Sequence, residues 1–145
     1  MGLDEVANCH AITLPRFADG PRGSLTVAEY GGAIPFDFRR VYYMTGIEGA
    51  DAVRGRHAHK TLQQALFCIN GSVRLDVDDG THKASILLDT PNEGVYIGPL
   101  LWHELRGFSP GAVVLVFAAA AYDESDYLRD YDAFLAFVQE HPVLS

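Results

Sequence analysis

Ser72-Val73-Arg74-Leu75-Asp76-Val77, then Asp78-Asp79-Gly80, then the run from Lys83 to Leu88 is the stretch that decides the fold. Apolar residues alternate on both arms around an Asp-Gly turn, which is the pattern of a β-hairpin with one face buried. Val73, Leu75 and Val77 are expected to face a common core. Working outward, further strands are expected over residues 25–30, 38–44, 55–60, 63–70, 94–97, 102–107 and 112–119, each rich in β-branched and aromatic residues and bounded by turn formers. So many short strands need a sandwich or barrel, and the architecture expected is all-β, a jelly roll. The chain changes character over residues 124–140, where Tyr127, Leu128, Tyr131, Phe134, Leu135 and Val138 recur at three- and four-residue spacing. That stripe predicts an amphipathic C-terminal helical segment, closed by Pro142.

The 145 residues fit one domain spanning 1–145, with residues 1–20 read as a lead-in, and a 48% hydrophobic content suffices for a core. The apolar run from Ala112 to Ala121 is far shorter than the roughly 20 residues a spanning helix needs. The N-terminus carries Asp4 and Glu5 where a signal peptide carries positive charge, so a cytoplasmic location with no membrane partner is expected. The net charge of −8 argues against nucleic acid as a partner. A local anion pocket remains open, because arginines cluster at Arg39-Arg40 and Arg54-Gly55-Arg56. Cys9 and Cys68 lie far apart and are read as free thiols. Sheet edges left open by such a fold favour a homodimer.

The strongest chemical signal is Arg54-Gly55-Arg56-His57-Ala58-His59. Side chains two apart on a strand share a face, with Cα atoms roughly 6.5 Å apart, so both imidazoles are expected to point into the barrel. His103 comes later, in Pro99-Leu100-Leu101-Trp102-His103-Glu104, and the barrel can bring it to the pair. Each histidine taken alone is more simply a satisfied strand residue, and His103 a ring packed beside Trp102; paired spacing weakens that reading. The His-x-His is followed by Gln64 and Gly71, which matches the first cupin motif except that glutamate is missing. A neutral amide is a poor ligand for a divalent cation, so no metal and no other cofactor are expected. Without a metal, an imidazole with a pKa of about 6.5 acts as base and then as acid. Tyr30, Tyr42 and Tyr43 offer hydroxyls, although strand tyrosines more often pack.

Taken together, Arg22-Gly23-Ser24-Leu25, Arg40-Val41-Tyr42-Tyr43, Arg54 to Lys60, Asn70-Gly71-Ser72, Tyr96-Ile97-Gly98-Pro99, Trp102-His103-Glu104 and Tyr122-Asp123-Glu124-Ser125-Asp126-Tyr127-Leu128-Arg129 resemble the dTDP-4-keto-6-deoxyglucose 3,4-ketoisomerases of the cupin superfamily. The resemblance runs from about Arg22 to Phe134. It implies a metal-free dimer that feeds the synthesis of deoxy and amino sugars for surface polysaccharides or antibiotics, with a dTDP-linked keto sugar as substrate. The implied reaction removes the C3 proton, passes through an enediol and returns a proton at C4. On this resemblance His57 is the base and His59 its relay partner. Arg22 and His103 match positions where the family's branches differ, and their combination resembles the branch giving the galacto product. Arg40, Arg54 and Arg129, with Tyr42, are implied to hold the nucleotide sugar, against the plainer reading of Arg129 as a surface ion pair with its acidic neighbours. Two departures stand out: Arg56 occupies a position expected to be apolar, and Ala118 to Ala121 replaces polar and aromatic residues. A metal-dependent cupin enzyme, a non-catalytic sugar-nucleotide binding module and a 3- or 5-epimerase remain as competing readings.

Overall fold

A computed structural model describes residues 2–141. Its strands are β1 (Cys9–Thr13), β2 (Arg16–Ala18), β3 (Ser24–Thr26), β4 (Arg40–Met44), β5 (Val53–His59), β6 (Gln64–Asn70), β7 (Val73–Asp78), β8 (Lys83–Leu88), β9 (Glu93–Ile97), β10 (Trp102–Arg106), β11 (Val113–Ala118) and β12 (Tyr127–Leu128), followed by helix α1 (Tyr131–Glu140). Two five-stranded sheets, ordered β1-β9-β6-β11-β4 and β12-β5-β10-β7-β8, form the jelly roll, and β2 and β3 make a separate small ribbon. All of these strand pairs are antiparallel.

The hairpin forms as its pattern predicts, with Val73 opposite Leu88 and Val77 opposite Ala84. Val73, Leu75 and Val77 are buried. Its turn is held by local side chains: Asp78 accepts from the Gly80 amide, and Asp79 accepts from the amides of Thr81 and His82. Gly80 has φ of +96°, a left-handed conformation that glycine adopts without steric cost. Between the sheets these side chains meet Leu66 and Cys68 of β6, Val95 and Ile97 of β9, Leu105 of β10, and Val114 and Val116 of β11. Cys9 and Cys68 are both free and buried.

β6 is buried on both faces. Ala65 and Phe67 point away from the barrel and are covered by Ile34 together with Phe36 and Phe38. That cover explains a departure from the sequence reading. The strand expected over 25–30 stops at Thr26, and the chain then crosses the outer face of the first sheet, where its apolar residues bury Phe67. Residues 1–20 are more than a lead-in. β1 pairs along the whole of β9 and places Ile12 in the outer cluster. Gly94 permits this crowding, since a Cβ there would lie 2.3 Å from the Leu66 carbonyl oxygen and 2.4 Å from the Phe67 ring.

The C-terminal segment also differs from expectation. Residues 124–126 form a single 3-10 turn, and Tyr127 and Leu128 pair with His59 and Ala58 as β12. The helix begins only at Tyr131, where the Asp130 side chain accepts from the Ala133 amide and sets its start. The physical reason is tertiary: Asp126 is drawn to the Thr61 and Leu62 amides, which helical geometry would forbid. α1 seats Phe134, fully buried, against Trp102 and Ala58 on the outer face of the second sheet. Pro142 lies outside the described residues. Among those described, no helix is long and apolar enough to cross a membrane.

Candidate active site

The geometry of the site follows from one irregularity. His103 pairs with His57, but the next β10 residue, Glu104, pairs with Gly55, so Arg56 is an extra residue in β5. Gly55 and Arg56 both have positive φ, +88° and +51°, so the backbone departs from regular strand geometry at the bulge. Strict alternation puts Arg54 on the face opposite His57 and His59. With the bulge, Arg54 stands opposite the inward-facing Leu105 and joins the histidines inside the barrel. Arg56 turns outward and pairs with Glu104 at 3.4 Å, which accounts for a charge where an apolar residue is expected.

Inside, a cavity of about 380 Å³ is lined by Arg40, Tyr42, Arg54, His57, His103 and Arg129, together with Gln64 and Tyr127. The three imidazoles cluster: the His57 ring centre lies 4.9 Å from that of His59 and 4.7 Å from that of His103. A larger groove of about 720 Å³ lies on the outer face of the second sheet beside Trp102 and Tyr131, but no histidine is among its lining residues; Arg56 pairs there with Glu104 and Lys83 with Asp78, while Asp76 pairs with Arg106.

Each ring has a definable protonation state. His57 Nδ1 is 2.7 Å from the Gly55 carbonyl oxygen. A carbonyl only accepts, so Nδ1 carries the hydrogen and Nε2 keeps a lone pair. His103 Nδ1 makes the same kind of bond, at 3.3 Å, to the Leu101 carbonyl. Burial lowers the pKa of His57, opposed by its bond to Gly55. His59 is pushed down to about 4, first by burial and then by the neighbouring His57. His103 is held well below its ordinary value by burial and by both other rings. All three are therefore neutral near pH 7, the form in which an imidazole accepts a proton.

His59 does not reach the main cavity. It lines a small chamber behind, together with Asp126 and Tyr127. Arg40 lies over the Tyr42 ring with its guanidinium carbon 5.1 Å from the ring centre, and its buried Nε has no partner among the described residues. Arg129 packs over Tyr127 at 4.2 Å and donates two hydrogen bonds to Glu124. Arg129 is thus ion-paired, as the plainer reading expects, and it also forms part of the cavity wall. Those bonds hold the exposed Glu124 carboxyl down at about 2. Gln64 donates to the Tyr42 hydroxyl at 2.8 Å. Among the described residues no group of three or more His, Cys, Asp or Glu is arranged to hold a metal ion.

Arg22 is not brought to the site within the chain. It sits at the end of the 3-10 turn Gly20–Arg22, exposed and paired with Asp19 at 3.3 Å, because glycines of positive φ at 20 and 23 turn the chain outward there. Tyr30 and Tyr43 are exposed and do not line the cavity. Sequence reasoning missed Asp126 and Tyr127 as site residues. Their acidic and aromatic run was visible, but the helical periodicity assigned to it hid the strand that brings Tyr127 to His59.

The chain is similar in sequence and fold to known proteins. Residues 7–139 match the family described as FdtA: WxcM-like, C-terminal. A TDP-4-oxo-6-deoxy-alpha-D-glucose-3,4-oxoisomerase from Aneurinibacillus thermoaerophilus is 47% identical over 117 residues, 81% of this chain and 84% of that protein. A histidine-to-asparagine mutant of the 3,4-ketoisomerase QdtA from Thermoanaerobacterium thermosaccharolyticum, solved in complex with TDP-4-keto-6-deoxyglucose, superposes with a TM-score of 0.90 at 40% identity, covering 96% of this chain and 99% of that one. The WlaRB TDP-quinovose 3,4-ketoisomerase from Campylobacter jejuni gives a TM-score of 0.85 at 40% identity, covering 90% and 99%. The family match over nearly the whole described chain, the 47% identity to a 3,4-oxoisomerase and the agreement of fold show that the chain belongs to the FdtA, WxcM-like C-terminal family and is an enzyme of the sugar 3,4-ketoisomerase type.

Proposed function

We propose that the protein converts dTDP-4-keto-6-deoxyglucose to a dTDP-3-keto-6-deoxyhexose by histidine-mediated proton transfer. The observation that carries this reading is the pinned tautomer of His57: its Nδ1 hydrogen is committed to Gly55, so a basic Nε2 lone pair is available on a ring that lines the cavity. His57 takes the C3 proton, made acidic by the C4 ketone, and the electron pair moves to form the enediolate. A proton returns at C4, and the C3 hydroxyl gives up its proton and becomes the ketone as the C4 oxygen takes one up, so no net proton or electron is gained or lost. His59 is the relay partner of His57. The histidine-to-asparagine QdtA mutant found with TDP-4-keto-6-deoxyglucose accords with a histidine doing the chemistry.

Arg40, Arg54 and Arg129 hold the diphosphate through charge-assisted hydrogen bonds, and Tyr42 packs under Arg40. The reaction is metal-independent in this reading, because Gln64 presents a neutral amide, already engaged with Tyr42, where a cation needs a carboxylate. His103, neutral and beside His57, together with Arg22 selects the face for reprotonation and gives the galacto product. Arg22 requires an assembly for this role. Residues 1–145 act as one cupin domain within a homodimer, supported by the exposed apolar residues Phe17 and Leu25 on the β2–β3 ribbon and Val41 and Tyr43 on the edge strand β4. Such a dimer supplies Arg22 across the interface. The enzyme works in the cytoplasm, on deoxy or amino sugars destined for surface polysaccharides.

The test is proton NMR of chelator-treated protein with the 4-keto substrate in deuterated water. A 3-keto sugar carrying deuterium at C4, in the galacto configuration, is expected. Turnover that returns only on adding metal would replace this reading with a metal-dependent one, and deuterium at C3 or C5 with the 4-ketone retained would make the protein an epimerase.

A further inference from the structure

His59 is 2% exposed, and among the described residues neither of its buried ring nitrogens has an aligned hydrogen-bond partner. Leaving a buried polar group in that state is costly, so it calls for an explanation. The ring backs onto a chamber of about 60 Å³, large enough for water, bordered by Arg40, Thr61, Leu62 and Asp126. Asp126 Oδ2 stands 3.3 Å from His59 Nδ1, close enough to pair with it electrostatically but off the line of a hydrogen bond.

That carboxylate is fixed from several sides. Oδ1 accepts from the Thr61 amide at 2.9 Å and from the Thr61 hydroxyl at 2.7 Å, and Oδ2 accepts from the Leu62 amide at 3.2 Å. The Asp126 backbone carbonyl accepts from the Lys60 amide. The groups facing His59 are His57 on its own strand, His103 on β10, Arg40 on β4, Tyr127 on β12 and Asp126 just before it. Asp123 also borders the chamber, but its carboxylate is spent on the Ser125 amide and hydroxyl. Every other ionisable neighbour of the ring is cationic or becomes so on protonation, apart from Tyr127. A proton arriving on His59 therefore has one anion among the described residues to meet it, Asp126.

We infer that Asp126 is a positioning residue of the isomerisation, a fixed carboxylate that keeps the Nδ1 hydrogen of His59 toward the rear chamber and supplies the counter-charge when His59 takes up a proton from His57. This rests on the reading that His57 and His59 move protons. The geometry favours it over a purely structural cap, because Oδ1 meets both Thr61 donors, and Oδ2, which takes a single longer bond from the Leu62 amide, is also the oxygen turned to the imidazole. With Nδ1–H held at the rear, Nε2 is the basic nitrogen of the ring.

The experiment compares wild type with Asp126→Asn, which keeps an acceptor for Thr61 and removes the charge. Long-range nitrogen–proton NMR of the imidazoles is expected to show His59 as the Nδ1–H tautomer in wild type. In Asp126→Asn the titration midpoint of His59 moves further down, since the charge that favours its protonated form is gone. Turnover falls roughly tenfold or more with KM nearly unchanged, and Asp126→Glu recovers part of it. An Nε2–H tautomer for His59 in wild type overturns the inference even if the variants do not fold. A folded Asp126→Asn with unchanged kcat and unchanged His59 titration overturns it as well. Loss of activity in His57→Asn alongside a fully active Asp126→Asn would reject this inference alone, whereas full activity in His57→Asn would reject the proton-transfer reading beneath it.

Discussion

Gly55→Ala tests the bulge on which the site is built. The residue has φ of +88°, where an L side chain costs about 1–2 kcal/mol relative to glycine. Its added Cβ would lie 3.1 Å from the His103 carbonyl oxygen and 3.4 Å from His103 Cδ2, so β10 must yield by a few tenths of an ångström. Overpacking of that size adds about 1 kcal/mol, giving a total of about 2–3 kcal/mol. The displaced atoms belong to His103, and relaxing the bulge disturbs the register that sets Arg54 and His57 on one face. Activity should therefore fall further than stability. Urea unfolding reads the first effect as a lowered midpoint with an unchanged slope. Steady-state turnover at a temperature where the variant is folded reads the second, with a loss of more than about tenfold expected. A variant with wild-type midpoint and wild-type turnover would show that the bulge does not position the site.

Two further predictions follow from packing and charge. Phe134→Ala empties the pocket between α1, Trp102 and Ala58 and should cost about 3 kcal/mol or more in chemical denaturation, with loss of the helix signal preceding that of the sheets. For pH, the folded-state pKa of His59 lies near 4 against an ordinary 6.5, so between those values the unfolded chain binds a proton that the folded one refuses. Stability contributed by neutral His59 is present above about pH 6.5 and is lost as pH falls through that window, by about 2 kcal/mol at pH 5. Thermal unfolding of His59→Gln should show a shallower decline from pH 7 to 5 than wild type, and an equal decline would contradict the assignment of a buried neutral ring.

Much of this is legible in the sequence. The alternation around Asp79-Gly80 sets a hairpin because each arm has one apolar face, and the His57-Ala58-His59 spacing sets two imidazoles on a common face because strands repeat every two residues. The limits are as specific. Arg54 falls on the wrong side under strict alternation, and only the pairing of β5 with β10 reveals the extra residue. Tyr127 and Leu128 fit a helical stripe as well as they fit a strand, and what decides between them is Asp126 binding Thr61 and Leu62, contacts more than 60 residues away in sequence. β1 was hidden for a similar reason, since Cys9–Thr13 alternates only weakly and is a strand because Val95 and its neighbours pair with it. Arg22, placed by resemblance to a motif, carries no periodicity that reports where its side chain goes.

The most direct test of the account is the exchange of the substrate's C3 hydrogen in His57→Asn. Asparagine retains an amide near the Gly55 carbonyl but no basic nitrogen, and the arginines that hold the diphosphate are untouched. Substrate proton NMR in deuterated water, with dTDP affinity measured in parallel by calorimetry, should show no C3 exchange and no 3-keto product, with binding close to that of wild type. Exchange at C3 at the wild-type rate in a variant that binds dTDP normally would show that His57 is not the base.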